Sequence, residues 1–310
     1  MELAPIGLSV YSRLEHIKKT IDALQHNKLA SETILYIFSD APQRGDEEKV
    51  DAVRKYLRTI SGFKEINLLE RTSNSRTQNN RNGIRMLLNE YGRMIFLEED
   101  IVTAPKFLEF MNQTLNFYQS DQRIVSITGY SPPFKPPAYY KKDIYLSLRF
   151  SGWGFGIWKD RYDRIKMNIE GYEEFLKDKA AVIRFRRGGE DLLYLLKHEA
   201  EGLIDALDVK IMFHQFQNNL YTVAPTVSVV QNIGHDGTGV HCGKTDKFNT
   251  ILNINDRPLE MEKDIQPNPD IIKRLYAFRS GGIKGKIERL LKHTYLLPAT
   301  KFACKQSIKL

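Results

Sequence analysis

Glu98-Glu99-Asp100 stands directly after the apolar run Met94-Ile95-Phe96-Leu97. Four apolar residues flanked by charge suit a short strand buried on both faces. Thr103-Ala104-Pro105 follows, an N-cap candidate with a proline in the first turn. Beyond it Phe107, Leu108, Met111, Leu115 and Tyr118 make the apolar stripe of a helix. The acids therefore collect at the carboxyl end of a strand, where open α/β sheets hold their ligands. Carboxylates crowded together repel unless a cation lies between them, and hard oxygen ligands suit Mg²⁺ or Mn²⁺ shared with a substrate phosphate. Asp100 is the expected metal ligand, with Glu98 or Glu99 assisting directly or through water. A solvated acidic turn is the plainer alternative.

Gly188-Gly189-Glu190-Asp191 opens a helix expected to run to about Glu201. Acids there satisfy the helix dipole, and a carboxylate so held can also deprotonate a hydroxyl nucleophile. Asp205 and Asp208, on Leu203–Val209, are weaker candidates. The stretch NIGHDGTGVHC, from Asn232 to Cys242, reads as a tight glycine-rich loop. In it His235 or His241 can bind a divalent metal or a diphosphate, since neutral imidazole is a common ligand. Structural zinc lacks a C-x-x-C or H-x-x-x-H partner, and Ser/His/Asp hydrolysis lacks a G-x-S-x-G elbow. Gly152-Trp153-Gly154-Phe155-Gly156 lacks the spacing of a dinucleotide fingerprint and comes too late in the chain. Its glycines let backbone approach a ligand beside a stacking wall of rings, or let it pack within a strand. The polar stretch Arg71–Asn82 can reach a phosphate or a base, or simply lead into an exposed helix.

These residues need a scaffold. Strand candidates at Ile6–Val10, Ile34–Phe38, Ile66–Leu69 and Met94–Leu97 alternate with helices at Leu14–Leu24, Asp46–Ile60 and Asn79–Glu90. Such alternation predicts a parallel sheet with right-handed crossovers. Ile124–Thr128, Ile144–Leu148 and Thr222–Val230 are further strand candidates in a less regular second half.

The 310 residues carry a formal charge of +8. Residues 271–310 hold ten Lys/Arg against Glu288, a net +9, which leaves −1 for residues 1–270. A neutral body argues against a nucleic-acid groove. The tail sets Ile283, Ile287, Leu290 and Leu291 among Lys284, Lys286, Arg289 and Lys292, the pattern of a basic interfacial helix that docks on an anionic membrane. A solvated helix packed on the body is the alternative. No run of 18 apolar residues exists, the N-terminal residues lack the features of a signal peptide, and there are two cysteines. Together these predict a reducing, cytoplasmic location, peripheral at the inner face of the membrane.

In order, the acidic strand end, the segment Ser151–Gly156, Gly189-Glu190-Asp191 and the late histidine resemble the GT-A glycosyltransferases. The stretch from Ile95 to Ser131 is similar to the N-acetylglucosaminyltransferase I group. The segment NIGHDGTGVHC resembles bacterial family-2-type transferases of surface polysaccharides. The resemblance covers about residues 5–245. One departure is Glu99, where the EDD metal motif of that group has Asp. The resemblance implies a GT-A (Rossmann-like) α/β fold, with a mostly parallel central sheet flanked by helices. Its domain would span residues 1–255, a nucleotide-sugar half (1–125) and an acceptor half (126–255), before a basic extension (256–310). It also implies an inverting, Mn²⁺- or Mg²⁺-dependent transfer of a sugar from a nucleotide-diphosphate donor, a UDP-sugar, to a saccharide or lipid-linked saccharide acceptor in bacterial surface polysaccharide or glycolipid synthesis. Asp191 would be the base, with Glu190 beside it and Asp205 as second choice. Asp40 would contact the nucleotide base, with Ser12, Arg13, Arg71, Arg76 and Glu99 near the donor. The rival readings are a nucleotidyltransferase acting on sugar phosphates, disfavoured because Ser9–Arg13 has no glycine, and a non-catalytic sugar-binding module.

Overall fold

A computed structural model describes residues 2–238, 243–255 and 257–280. β1 (Ile6–Val10), α1 (Leu14–Gln25), β2 (Ile34–Ser39), α2 (Glu47–Leu57), β3 (Glu65–Glu70), α3 (Arg76–Tyr91) and β4 (Arg93–Glu98) follow the expected alternation. The four strands are parallel, in the order β3-β2-β1-β4. In β4, Ile95 and Leu97 join a buried cluster with Ile17 of α1 and Val53 of α2, whereas Met94 and Phe96 join one with Ile84 and Leu87 of α3. Helices cover both faces, which is why the strand is apolar without alternation. Ser75 caps α3 by accepting from the Gln78 N–H (3.3 Å), and Gly92 closes it at φ 72°.

The chain continues through β5 (Ile101–Thr103), α4 (Phe107–Phe117), β6 (Ile124–Thr128), β7 (Ile144–Ser147) and β8 (Phe155–Trp158). Then come α5 (Lys159–Tyr162), α6 (Tyr172–Lys177), α7 (Lys179–Arg186), α8 (Leu192–Ala200), α9 (Leu207–Gln217), β9 (Tyr221–Pro225), β10 (Val230–Asn232) and α10 (Pro269–Ser280). The main sheet runs β3-β2-β1-β4-β8-β6-β9-β7. β8 is antiparallel to β4 and β6, and β7 to β9, so six of these eight strands point one way. The result is an α/β fold with a mixed, mostly parallel central sheet flanked by helices.

Two features differ from the expectation, and one open alternative is decided. The run Thr222–Val230 is not one strand. β9 ends at Pro225, which has no N–H to extend a ladder, and β10 pairs instead with β5, antiparallel. The glycine-aromatic segment takes the strand alternative, supplying β8 at the centre of the sheet. Residues 257–280, expected within a C-terminal extension, pack on the body: Ile265 and Ile271 are fully buried, and the Tyr118 hydroxyl donates to the Glu262 carbonyl (2.7 Å). Residues 281–310, with most of the basic tail, lie outside the described residues.

Candidate active site

β1 and β4 are parallel neighbours, so the Tyr11–Arg13 turn and the acids after β4 meet at one sheet edge. Arg13 joins two of them, donating from Nε to Glu99 Oε1 (2.7 Å) and from Nη2 to Asp100 Oδ2 (2.8 Å). Glu99 Oε2 accepts the Tyr11 N–H at 2.6 Å. Glu99 is thereby a buried brace for the turn after β1, with both oxygens engaged inside the protein. Asp100 is different. Its Oδ1 is buried and has no hydrogen-bond partner, a state that costs about 1–3 kcal/mol unless a ligand takes the oxygen.

The β5–β10 ladder carries a second element to the same spot. Asn232 lies opposite Ile101, and the Ile233 N–H donates to the Asp100 carbonyl (2.9 Å). Gly234 then passes so close that a Cβ there would lie 2.0 Å from Asp100 Oδ2. His235 follows, its ring 5.4 Å from Trp153 and 5.1 Å from Phe248 between centroids. Both of its ring nitrogens are buried without a hydrogen-bond partner. Burial holds the imidazole below its usual pKa, against the Asp100 charge, which favours the neutral, metal-binding form. A carboxylate oxygen and an imidazole nitrogen, both lacking partners, fit two positions of a Mn²⁺ or Mg²⁺ shell. Among the described residues no three His, Cys, Asp or Glu side chains converge as a complete cage, so the other positions would fall to water and a phosphate ligand. Asp236 pairs with His16 of α1 (3.2 Å) and caps the Thr238 N–H (2.9 Å), fastening the loop. His241 lies outside the described residues.

Glu98 ends β4 with Asn80 Nδ2 at 3.4 Å from Oε1. Burial and the Asp100 charge push its carboxyl up to about 7, with Arg76 opposing and Asp208 adding to the rise. Asp208 therefore faces the same cleft, from the first turn of α9. Asp208 is exposed as a residue, yet the protein around it desolvates its carboxylate and pushes its pKa up against Arg149, a Gly152 N–H and Arg76. Exposed Arg76, opening α3, is thus the cation common to Glu98 and Asp208.

The other expected residues divide. Ser12 lies half-buried in the turn after β1. Asp40 is 3% exposed, and its carboxylate accepts from the Ser75 N–H (3.1 Å) and Asn74 Nδ2 (3.2 Å), with Arg71 Nε at 3.4 Å. It holds the 71–75 loop. Asp191 is gripped by Arg149 through two bonds, 2.9 Å to Oδ1 and 2.7 Å to Oδ2. Burial raises its pKa, but Arg149 and then Arg279 outweigh that and keep it below the usual value. Glu190 accepts from Arg186 (3.1 Å at Nε) and from the Tyr276 hydroxyl. Asp205 pairs with Arg81 and with Lys210 (2.6 Å). Glu190 and Asp205 are both tied into ion pairs. Asp208, a weaker candidate in the sequence, lies in the first turn of α9, and Arg149 and Arg279 were not anticipated.

No protein-family model matches the sequence, and no curated protein does. Solved structures share its architecture in part. S. aureus TarS 1–349 is similar at 9% identity and TM-score 0.41, over 75% of this chain and 61% of that one. The same protein in complex with UDP-GlcNAc gives 10% and 0.37, over 73% and 57%. GalNAc-T7 with UDP, GalNAc and Mn²⁺ gives 11% and 0.44, over 74% and 43%. The chain thus spans less than two thirds of each, and the likeness is one of fold.

Proposed function

We propose that this chain is a metal-dependent, inverting glycosyltransferase using a nucleotide-diphosphate sugar, a UDP-sugar, as donor and a saccharide or lipid-linked saccharide hydroxyl as acceptor, in bacterial surface polysaccharide or glycolipid synthesis. The observation that carries the reading is the set of buried, unpartnered ligand atoms, Asp100 Oδ1 and the His235 nitrogens, at the carboxyl edge of a mostly parallel sheet. Asp100 and His235 would hold Mn²⁺ or Mg²⁺, which when bound neutralises a diphosphate leaving group. Arg13 keeps Asp100 aimed, and Arg76, with Ser12 and Arg71 nearby, suits the nucleotide and its phosphates.

Asp208 takes the role of general base that the sequence reading gave Asp191. A base works best with a pKa lifted toward neutrality. Desolvation by the surrounding protein lifts that of Asp208, whereas Arg149 holds Asp191 low. Asp208 removes the acceptor hydroxyl proton; the freed oxygen bonds to the anomeric carbon as the bond to the diphosphate oxygen breaks. The nucleotide diphosphate departs with the electron pair and the configuration inverts. Asp191 orients Arg149. The tail would add a peripheral contact with an anionic membrane.

The test is to incubate the full chain with a panel of UDP-sugars and Mn²⁺ and follow UDP release. Slow release that stops with a chelator, and in Asp100→Ala, is expected. Release from no donor at any metal concentration would contradict the assignment.

A further inference from the structure

Two recesses meet where α7 and α10 face Arg149. The inner one is a narrow cleft of about 40 Å³ and the outer one holds about 500 Å³; Arg187 and Ile272 line both, so they form one groove. Its cations are Arg149 and Arg279 at the inner end, Arg187 at the junction, and Arg186 and Lys273 at the outer end. Only two carboxylates accompany these five charges, and both are engaged: Asp191 by Arg149, and Glu190 by Arg186 and Tyr276. Among the described residues Arg187 and Lys273 make no ion pair. The Arg279 guanidinium lies 5.7 Å from the centroids of both Phe248 and Phe278 and has no carboxylate bonded to it.

The inner end is tightly built. A Cβ on Gly189, at φ 148°, would meet Asp191 Oδ1 at 2.5 Å, Arg149 Nη1 at 2.9 Å and Arg279 Cβ at 3.4 Å. Desolvation, and then the like charge of Arg149, depress Arg279 to about 10. Asp191 is taken by Arg149 alone, so Arg279 is left as a surplus charge that a second anion would neutralise. Arg149 also acts on Asp208, so the groove starts beside the proposed base and leads outward over α7 and α10.

Resting on the glycosyltransferase reading above, we propose that the acceptor is an acidic chain, whose phosphodiester or uronate groups lie in this groove on Arg187 and Lys273, toward Arg279. A neutral acceptor has no use for three cations without ion pairs along its path. Phosphodiester and carboxylate both pair bidentately with guanidinium, and the experiment separates them.

The probes are fluorescein-labelled oligomers of matched length: a glycerol phosphodiester, an oligogalacturonate and neutral maltoheptaose. Fluorescence anisotropy is measured on the full chain and on an Arg187→Gln/Lys273→Gln variant, with UDP–Mn²⁺ affinity measured on both. At least one acidic oligomer is expected to bind more than tenfold tighter than maltoheptaose, and the better of the two names the charge carried. The variant should lose about tenfold on that oligomer and keep its UDP–Mn²⁺ affinity. Equal binding of all three oligomers overturns the proposal. So does an acidic oligomer held equally by the variant, since the contact then lies elsewhere, as on the basic tail. A parent chain that fails to bind UDP contradicts the transferase reading, whatever the oligomers do.

Discussion

Replacing Gly234 by Ala tests the geometry of the ligand pair without touching either ligand. The added methyl carbon would begin 2.0 Å from Asp100 Oδ2 and 2.9 Å from Arg13 Nη1. Ordinary contact is about 3.5 Å, so the carboxylate must retreat by roughly 1.5 Å or the β10 end must lift away. The first breaks the 2.8 Å bond that Arg13 makes to Asp100, and the second carries His235 off. Either way the ligand atoms separate. Disturbing the groups that orient a metal ligand typically costs about 10–100-fold in metal affinity, and overpacking costs about 1–3 kcal/mol of stability. Calorimetric titration of UDP in Mn²⁺ should show that loss, beside a modestly lowered Tm. A Gly234→Ala protein that binds Mn²⁺ and UDP like the parent would refute the idea that Gly234 and Asp100 must approach this closely.

Asp208→Asn should bind donor normally yet turn over about 10²–10⁴-fold more slowly, while Asp191→Asn stays within about tenfold; the reverse order in a coupled UDP-release assay restores Asp191 as the base. Because Arg149 keeps the folded pKa of Asp191 below its unfolded value of about 3.9, its ion pair stabilises the protein above that pH and is lost as pH falls through the folded value. Melting curves from pH 6 to pH 2 should accordingly show a shallower acid loss in Asp191→Asn than in the parent. A chain ending at Ser280 should keep the parent Tm and UDP–Mn²⁺ binding but no longer sediment with anionic vesicles. One ending at Asn255 should be strongly destabilised, since Ile265, Ile271 and Ile272 are buried and each contributes about 1.5–3 kcal/mol.

The half of the fold built from β1 to β4 was legible because its strands are continuous apolar runs and its helices have one-sided stripes. α9 was not. Its buried residues include Lys210, His214 and Gln215 beside Val209, Ile211, Met212 and Phe213, so no single apolar stripe marks it. With the helix unseen, Asp208 stood only as a weaker candidate beside Asp205. The glycines of β8 suited a ligand-facing backbone and a strand equally, and the break after Pro225 was masked by valines on both sides of it. Asp100 and His235 were legible as residue types, but their meeting depends on the β5–β10 ladder, a pairing between segments over a hundred residues apart. The groove cations come from three separate segments, at Arg149, Arg186–Arg187 and Lys273–Arg279, and no local pattern announces that they share a surface.

The central claim is that Asp100 and His235 together hold a divalent cation that carries a nucleotide diphosphate. Electron paramagnetic resonance of Mn²⁺ bound to the full chain with UDP reads this directly. The account predicts hyperfine coupling to phosphorus from the diphosphate and to one imidazole nitrogen, the nitrogen signal vanishing in His235→Gln and both vanishing in Asp100→Ala. A bound-Mn²⁺ spectrum that carries phosphorus but no nitrogen coupling, or that survives Asp100→Ala unchanged, would contradict it.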